Sequence, residues 1–332
     1  MIAIGRPFWR ALSGGKRVSL LPGGVHPIIY ALFDAEGQLD RQAMRRQVEV
    51  CIAQGAVGIA TLGLATEVRF LSDAQQRQLV EWNVEDIAGR VPLGVTIFAQ
   101  TPDEQIERVH HAAAAGADWV VLQPPASAVD ETSLVAAFSR VLEASTMPAA
   151  LQNMPQFIGV GLGVEAIADL AARHKRLIGV KQEVSATETA ELVARLAGRA
   201  QVLSGRGGIE LVDCMAAGVA GNIPAPEYAD YLVTLWDHMS AGREDEARDV
   251  YRRILPIATF VLQSLEALTT YGKLLFCLRY DIAFHQRAGA MAPTAFGLKA
   301  LEGHARGLGI DTSSWHAQLA SVLDTQNQGS QQ

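Results

Sequence analysis

Lys181 closes the apolar run Leu177-Ile178-Gly179-Val180, and Glu183 stands two places further on. Side chains alternate along a strand, so if Lys181 points to one face, Glu183 points to the same face and Gln182 to the other. A lysine carried from water into an apolar site has its neutral form favoured by desolvation. A neutral amine can attack a ketone and form a Schiff base, which then draws electrons from a breaking bond. The carboxylate of Glu183 would hold the amine charged at rest, or act as general base once the imine exists. The alternatives are a lysine that snorkels to solvent from a strand end and a glutamate that lies beyond the strand, in water or at a helix N-terminus.

Arg206 is the next candidate, in Ser204-Gly205-Arg206-Gly207-Gly208. A glycine-rich loop leading into a helix lets backbone N–H groups and a guanidinium face one anion together, which fits a substrate bearing carboxylate or phosphate. A surface arginine on a glycine-rich turn is the competing reading. The histidines offer less. His110 and His111 are adjacent on a predicted outer helix and so do not share a face. His26 is expected to precede the first strand and to serve stability. No His/Asp/Glu spacing reads as a metal site and no nucleotide fingerprint appears, so no cofactor beyond the lysine is implied.

The elements that must position these residues follow from the rest of the chain. Of 332 residues, 49% are hydrophobic and 19% charged, enough apolar material for a sizeable core. The net charge of −7, with no basic block to offset it, argues against nucleic acid as a partner. Cys51, Cys214 and Cys277 lie far apart and suit free thiols in a reducing compartment. The first 24 residues have no sustained apolar core of the signal-peptide kind, and no apolar run approaches the length of a membrane span. The expected location is the cytoplasm, with no membrane partner.

From about Val25 to Pro224 short apolar runs alternate with amphipathic helices. The strand candidates are His26–Phe33, Gly58–Leu62, Val91–Ile97, Trp119–Gln123, Ala149–Asn153, Ile178–Lys181, Val202–Ser204 and Gly221–Ile223. Asp40 is placed to cap a helix whose apolar stripe is Met44, Val48, Cys51 and Ile52, with Gly55 just past its end. Ser72-x-x-Gln75, Thr101-Pro102-Asp103-Glu104 and Ser185-x-x-Glu188 are capping-box patterns. Eight apolar runs separated by helices predict an α/β fold, a (β/α)8 TIM barrel. A doubly wound open sheet is the alternative, disfavoured by the lack of Gly-x-Gly-x-x-Gly after the first strand. The expected organisation is an N-terminal extension over 1–24, the barrel over 25–241, a C-terminal helical appendage over 242–325 with a break at Gly289–Pro293, and a disordered tail over 326–332.

Four stretches, in their order and spacing, carry a resemblance that covers most of the chain. They are Gly63-Leu64-Ala65-Thr66-Glu67, Gln152-Asn153-Met154-Pro155, Ile178-Gly179-Val180-Lys181 and Leu203-Ser204-Gly205. The chain resembles the dihydrodipicolinate synthase and N-acetylneuraminate lyase family of pyruvate-dependent class I aldolases. The resemblance implies a Schiff-base role for Lys181, a pocket-lining role for Ile223, a bracing role for Asn153 at the Pro155 turn, a structural role for Glu67, and a homo-oligomer, dimer or tetramer. The backbone of Leu64 and Ala65 is expected to bind a 2-oxo carboxylate through amide donors. Tyr271-Gly272-Lys273, in the C-terminal helices, reads as packing.

The departures from the family pattern matter as much as the matches. The family's relay of a threonine and two tyrosines falls on Leu64, Ala126 and Gln152, so all of its hydroxyls are missing. Glutamine does not shuttle protons near neutral pH, which leaves Gln152 to position a carbonyl. The arginine that binds a substrate carboxylate in the synthase branch falls on Phe157, a loss that Arg206 is placed to offset. Ala126 enlarges the barrel mouth for a bulkier or more apolar substrate. The leading expectation is a Schiff-base lyase, aldolase or dehydratase, acting on pyruvate or a larger 2-oxo acid and not a standard dihydrodipicolinate synthase. The alternatives are a degenerate paralogue that binds a small acid without efficient catalysis, and a Schiff-base decarboxylase.

Overall fold

The protein was analysed as a computed structural model, which describes residues 21–316, 318–320 and 322. Most of the N-terminal extension and all of the expected tail at 326–332 lie outside the described residues.

Eight short strands form one parallel sheet: β1 (Gly24–Val25), β2 (Ile59–Thr61), β3 (Leu93–Ile97), β4 (Trp119–Leu122), β5 (Ala149–Asn153), β6 (Leu177–Gln182), β7 (Gln201–Ser204) and β8 (Gly221–Asn222). From β2 to β8 each strand pairs with the next in sequence, and β8 pairs with β1. The ring closes between β1 and β2 through Val57 N–H to Val25 O (3.0 Å), Ala60 N–H to Pro27 O (2.9 Å) and Ile29 N–H to Ala60 O (3.0 Å). The structure is therefore the closed (β/α)8 barrel rather than an open sheet, with helices between the strands. The regular strand, Gly24–Val25, lies just before the expected His26–Phe33. Pro27 has no N–H to give to the ladder, and beyond Val25 the pairing is irregular, with His26 N–H to Asn222 O, Ile28 N–H to Pro224 O and the bridge Ile28 to Ala60.

Local sequence signals set the helices. Helix α1 (Arg41–Ala53) is capped by Asp40, whose side chain accepts from the N–H groups of Gln42 and Ala43, and Met44, Val48 and Cys51 are fully buried against the sheet. Helices α2 (Asp73–Ile87), α3 (Pro102–Ala115) and α7 (Ala186–Leu196) each start with the expected capping box. Between them run α4 (Glu131–Ala144), α5 (Pro155–Ile158) and α6 (Val164–Arg173). Helix α8 (Leu211–Ala217) links the last two strands and α9 (Ala229–Ser240) follows β8.

The C-terminal region is helical as expected: α10 (Glu244–Val261), α11 (Leu265–Ala267), a π-helical turn over Leu268–Gly272, α12 (Lys273–Tyr280) and α13 (Ala295–Leu308). Its break runs from 281 to 294 and is longer than the predicted Gly289–Pro293, because α12 ends at Asp281 in a left-handed conformation. One buried ionic cluster ties this region to the barrel. Glu67, in the loop after β2, pairs with Lys273 at the start of α12 and accepts from Arg287 Nε at 2.8 Å. Glu67 is thus structural, as expected, and Lys273 is its ionic partner rather than simple packing. Among the described residues no single helix is long and apolar enough to cross a membrane.

His26 follows the two regular residues of β1 instead of preceding the strand. It is fully buried, its Nε2 hydrogen-bonds the Pro22 carbonyl at 2.8 Å, and its ring meets Trp119 edge-on at 6.4 Å. Burial lowers its pKa from 6.5 to about 4. Its stabilising contribution is therefore complete above the unfolded value of 6.5 and is lost as the pH falls through that value toward 4. A shift of this size corresponds to about 3 kcal/mol. Urea unfolding followed across this window should show wild-type stability falling faster than that of His26→Gln, which has no ring to protonate.

Candidate active site

The register of the sheet creates the site. Gln152 of β5 pairs with Lys181 of β6, so the two side chains stand side by side on the same face. Regular pairing of β6 stops at Gln182, yet Glu183 N–H still bonds Asn153 O at 2.9 Å, which holds the next side chain inside the barrel mouth. Lys181 and Glu183 are 7% and 5% exposed, and Lys181 Nζ lies 3.3 Å from Glu183 Oε1. The lysine does not snorkel to solvent, and the glutamate does not leave the site.

Among the described residues, every hydrogen-bonding or ionic partner of the Glu183 carboxyl is a donor. Gln152 Nε2 donates to Oε2 at 2.6 Å, and the backbone N–H of Arg206 approaches Oε1 at 3.4 Å. Donors therefore reach both oxygens of the carboxyl group. Gly205 makes the arrangement possible. A Cβ at that position would fall 2.4 Å from Glu183 Cγ, so any larger residue would push the carboxylate aside. Gln152 thus helps orient Glu183 as well as lining the cavity. Asn153 braces the loop beyond Pro155, donating to Leu162 O (3.1 Å) and Gln182 Oε1 (3.0 Å) and accepting from Leu162 N–H (2.9 Å).

These groups open into a cavity of about 740 Å³, its open mouth included, at the C-terminal ends of the strands. Leu64, Ala65 and Arg206 line it with Lys181, Glu183 and Gln152, so most of the residues proposed from sequence converge here. Arg206 sits in a left-handed backbone conformation (φ 51°) at the cavity wall and pairs with Glu210 at 3.2 Å. Burial pushes the Glu210 carboxyl up, against the opposing pull of the arginine. Phe157 is 40% exposed and forms part of the wall without closing the space. Ala126 borders a separate hollow with Pro125 and Ile158, so the enlargement expected from it lies beside the main cavity.

Ile223 is a correction. It is buried in the core, and the segment after β8 contributes Ala225 and Glu227 to the cavity wall instead. Three leucines of the C-terminal region, Leu262, Leu265 and Leu268, form an apolar side, so this region helps build the site. Glu227 is the group that the sequence reading missed. It is 1% exposed, accepts a hydrogen bond from the Tyr30 hydroxyl at 2.7 Å, and has a pKa raised from 4.5 to about 7 by burial. Two signals were available: an acidic residue in the loop that follows the last strand of a barrel, and a tyrosine inside an apolar run, whose buried hydroxyl needs a partner.

Comparison with known proteins agrees with the barrel fold. The dihydrodipicolinate synthetase family model matches residues 21–273. A 4-hydroxy-tetrahydrodipicolinate synthase of Bartonella tribocorum is 30% identical over 251 residues, covering 72% of this chain and 82% of the relative. The "Probable 2-dehydro-3-deoxy-D-pentonate aldolase YjhH" of Escherichia coli K12 is 30% identical over 162 residues, covering 48% of this chain and 54% of its own length. In fold, the chain is similar to the 4-hydroxy-tetrahydrodipicolinate synthase of Methylacidiphilum fumariolicum SolV (TM-score 0.81, 21% identity, 91% and 98% coverage). It is also similar to YagE of Escherichia coli K12, solved in complex with pyruvate (TM-score 0.82, 22% identity, 88% and 100% coverage).

The two buried lysines have separable roles. Lys273→Met leaves Glu67 with Arg287 as its remaining ionic partner and should cost about 3 kcal/mol in urea unfolding. Adding Glu67→Gln removes the other partner of the same ion pair, so its cost should be smaller in the Lys273→Met background than in wild type, a coupling that a double-mutant cycle reads directly.

Proposed function

The chain belongs to the dihydrodipicolinate synthetase family, whose members are lyases of the class I aldolase type, and from that premise we propose that Lys181 forms a Schiff base with pyruvate or a larger 2-oxo acid. The observation that carries this reading is Lys181 Nζ buried in the cavity wall 3.3 Å from Glu183 Oε1. In this reading Glu183 takes a proton from the Lys181 ammonium, the freed Nζ attacks the C2 keto carbon, and Glu183 passes that proton and the one the nitrogen then sheds to the former keto oxygen, which leaves as water and gives the iminium. The iminium then withdraws electrons while the C3–C4 bond breaks or a second water is lost. In the same reading Arg206 and the backbone of Leu64 and Ala65, all at the cavity wall, take the substrate carboxylate.

The departures from the family pattern support a narrower reading: the relay positions fall on Leu64, Ala126 and Gln152, none of which carries a hydroxyl, and Phe157 falls where the resemblance puts the arginine of the synthase branch. We therefore read the chain as an aldolase or dehydratase with an acid/base system of its own, not as a standard dihydrodipicolinate synthase. The cytoplasm and a homo-oligomer belong to the same proposal.

Borohydride reduction in the presence of pyruvate and a panel of 2-oxo acids, followed by peptide mass spectrometry, tests it. The expected result is one reduced adduct on Lys181, absent in Lys181→Ala, with the best-trapped acid naming the substrate class. Glu183→Gln should slow trapping by about 100-fold, the lower range for loss of a positioned acid/base. No adduct with any acid would favour a binding protein without this chemistry. Arg206→Gln should raise the 2-oxo acid concentration needed for half-maximal trapping without abolishing it.

A further inference from the structure

If a Schiff base forms at Lys181, a proton must still be moved at carbon, and the residues at the relay positions cannot move it. Glu183 is a poor choice for that second task. Lys181, Gln152 and the Arg206 N–H already surround it, and its nearest cation is the nitrogen that becomes the imine. A different carboxyl lines the same cavity. Glu227 lies beyond β8 and Tyr30 beyond β1, strands that are neighbours in the ring, and their side chains meet at 2.7 Å.

The pair is built into the fold rather than placed by accident. The π-helical turn Leu268–Gly272 brings Gly272 against it, and a Cβ there would fall 2.5 Å from the Tyr30 hydroxyl and 3.5 Å from Glu227 Oε1. Single π-helical turns are often found at functional sites. Leu268 of the same turn lines the cavity.

We propose that Glu227 is the acid/base that moves the proton at carbon after the imine has formed, with the Tyr30 hydroxyl as its positioning residue. The inference rests on the lyase reading above and deepens it, because it divides two carboxyls between two tasks. With pyruvate, the Glu227 carboxylate takes a proton from C3 of the iminium. The C–H electron pair becomes the C2–C3 double bond, and the iminium π pair returns to nitrogen, giving the enamine. The protonated carboxyl returns a proton to C3 in the reverse step. In the cleavage direction the carboxylate takes the C4 hydroxyl proton as the C3–C4 bond breaks and the aldehyde leaves. It then protonates C3 of the enamine.

The electrostatics of the pocket suit this task. Burial is the dominant influence on Glu227, while its own backbone N–H, the Tyr30 hydrogen bond and the charge of Arg279 pull the other way, and the balance is a pKa of about 7. Arg279 donates to the Glu227 carbonyl at 2.7 Å and is itself chelated by Asp230 at 2.9 and 2.7 Å. Tyr228 faces the same region and donates to Gly207 O, and the thiols of Cys51 and Cys277 are buried nearby. Lys181, Glu183 and Arg206 share the cavity. A carboxyl that titrates near neutrality can both accept and return a proton at working pH.

Exchange of the pyruvate methyl protons in D₂O, followed by proton NMR alongside borohydride trapping, separates this proposal from the reading it rests on. Wild type should trap pyruvate on Lys181 and exchange C3, with the exchange rate rising with pH through about 7 as Glu227 ionises. Glu227→Gln, which can still accept from Tyr30, should keep trapping and lose exchange by about 100-fold or more. Tyr30→Phe removes a donor that favours the ionised carboxylate, so its pH limb should move upward with trapping intact, a shift that a purely structural role would not produce. No trapping in wild type would overturn the lyase reading and this proposal together. Trapping in both proteins with exchange and its pH limb unchanged in Glu227→Gln would overturn the division of labour alone. So would loss of trapping in a folded Glu227→Gln, or trapping without exchange in wild type.

Discussion

The rest of the site depends on keeping Lys181 and Glu183 in contact with each other at buried positions in the barrel mouth. Removing Lys181 and Glu183 from water costs several kcal/mol per ion unless each finds close partners. Their 3.3 Å contact meets part of that requirement, and the remainder falls on neighbouring strands. The β5–β6 register sets Gln152 beside the lysine, and the loop after β7 brings in the Arg206 N–H. Gly205 leaves room for the carboxylate to lie where it does. A slip of one residue in that register would turn the lysine and the glutamine to opposite faces and leave two unpaired buried groups.

A second buried ionic cluster governs the other half of the cavity. Glu67, Lys273 and Arg287 join the loop after β2 to the C-terminal region. That region supplies the leucines of the apolar wall and the π-helical turn pressed against Tyr30 and Glu227. The helices after the barrel are therefore part of the active site's construction. They enclose the cavity from one side, and the burial they provide helps raise the Glu227 carboxyl toward neutrality. One carboxyl surrounded by donors and another made reluctant to ionise by burial is the pairing from which acid/base roles diverge.

Much of this was legible in the sequence because it depends on short-range rules. Period-two alternation put Lys181 and Glu183 on one face, and that relation survived even though regular strand pairing ended at Gln182. Side-chain caps at Asp40, Ser72, Thr101 and Ser185 marked helix starts correctly, because each satisfies specific backbone N–H groups within three residues. What escaped depends on closure of the ring. Tyr30 and Glu227 are 197 positions apart and meet because β1 and β8 are neighbours. Ile223 was assigned to the wall by analogy, but the chain beyond β8 turns Ala225 and Glu227 to the cavity and leaves Ile223 in the core. Pairing beyond Val25 is irregular around Pro27, a local signal that the apolar run around it obscured.

The most direct test of the central claim is a crystal structure of the protein soaked with pyruvate near pH 7. The account predicts continuous density between Lys181 Nζ and the pyruvate C2, with Glu183 retained beside the nitrogen and Glu227 facing the bound carbon skeleton. Pyruvate held without a bond to Lys181, or bonded to Lys273 instead, would contradict it.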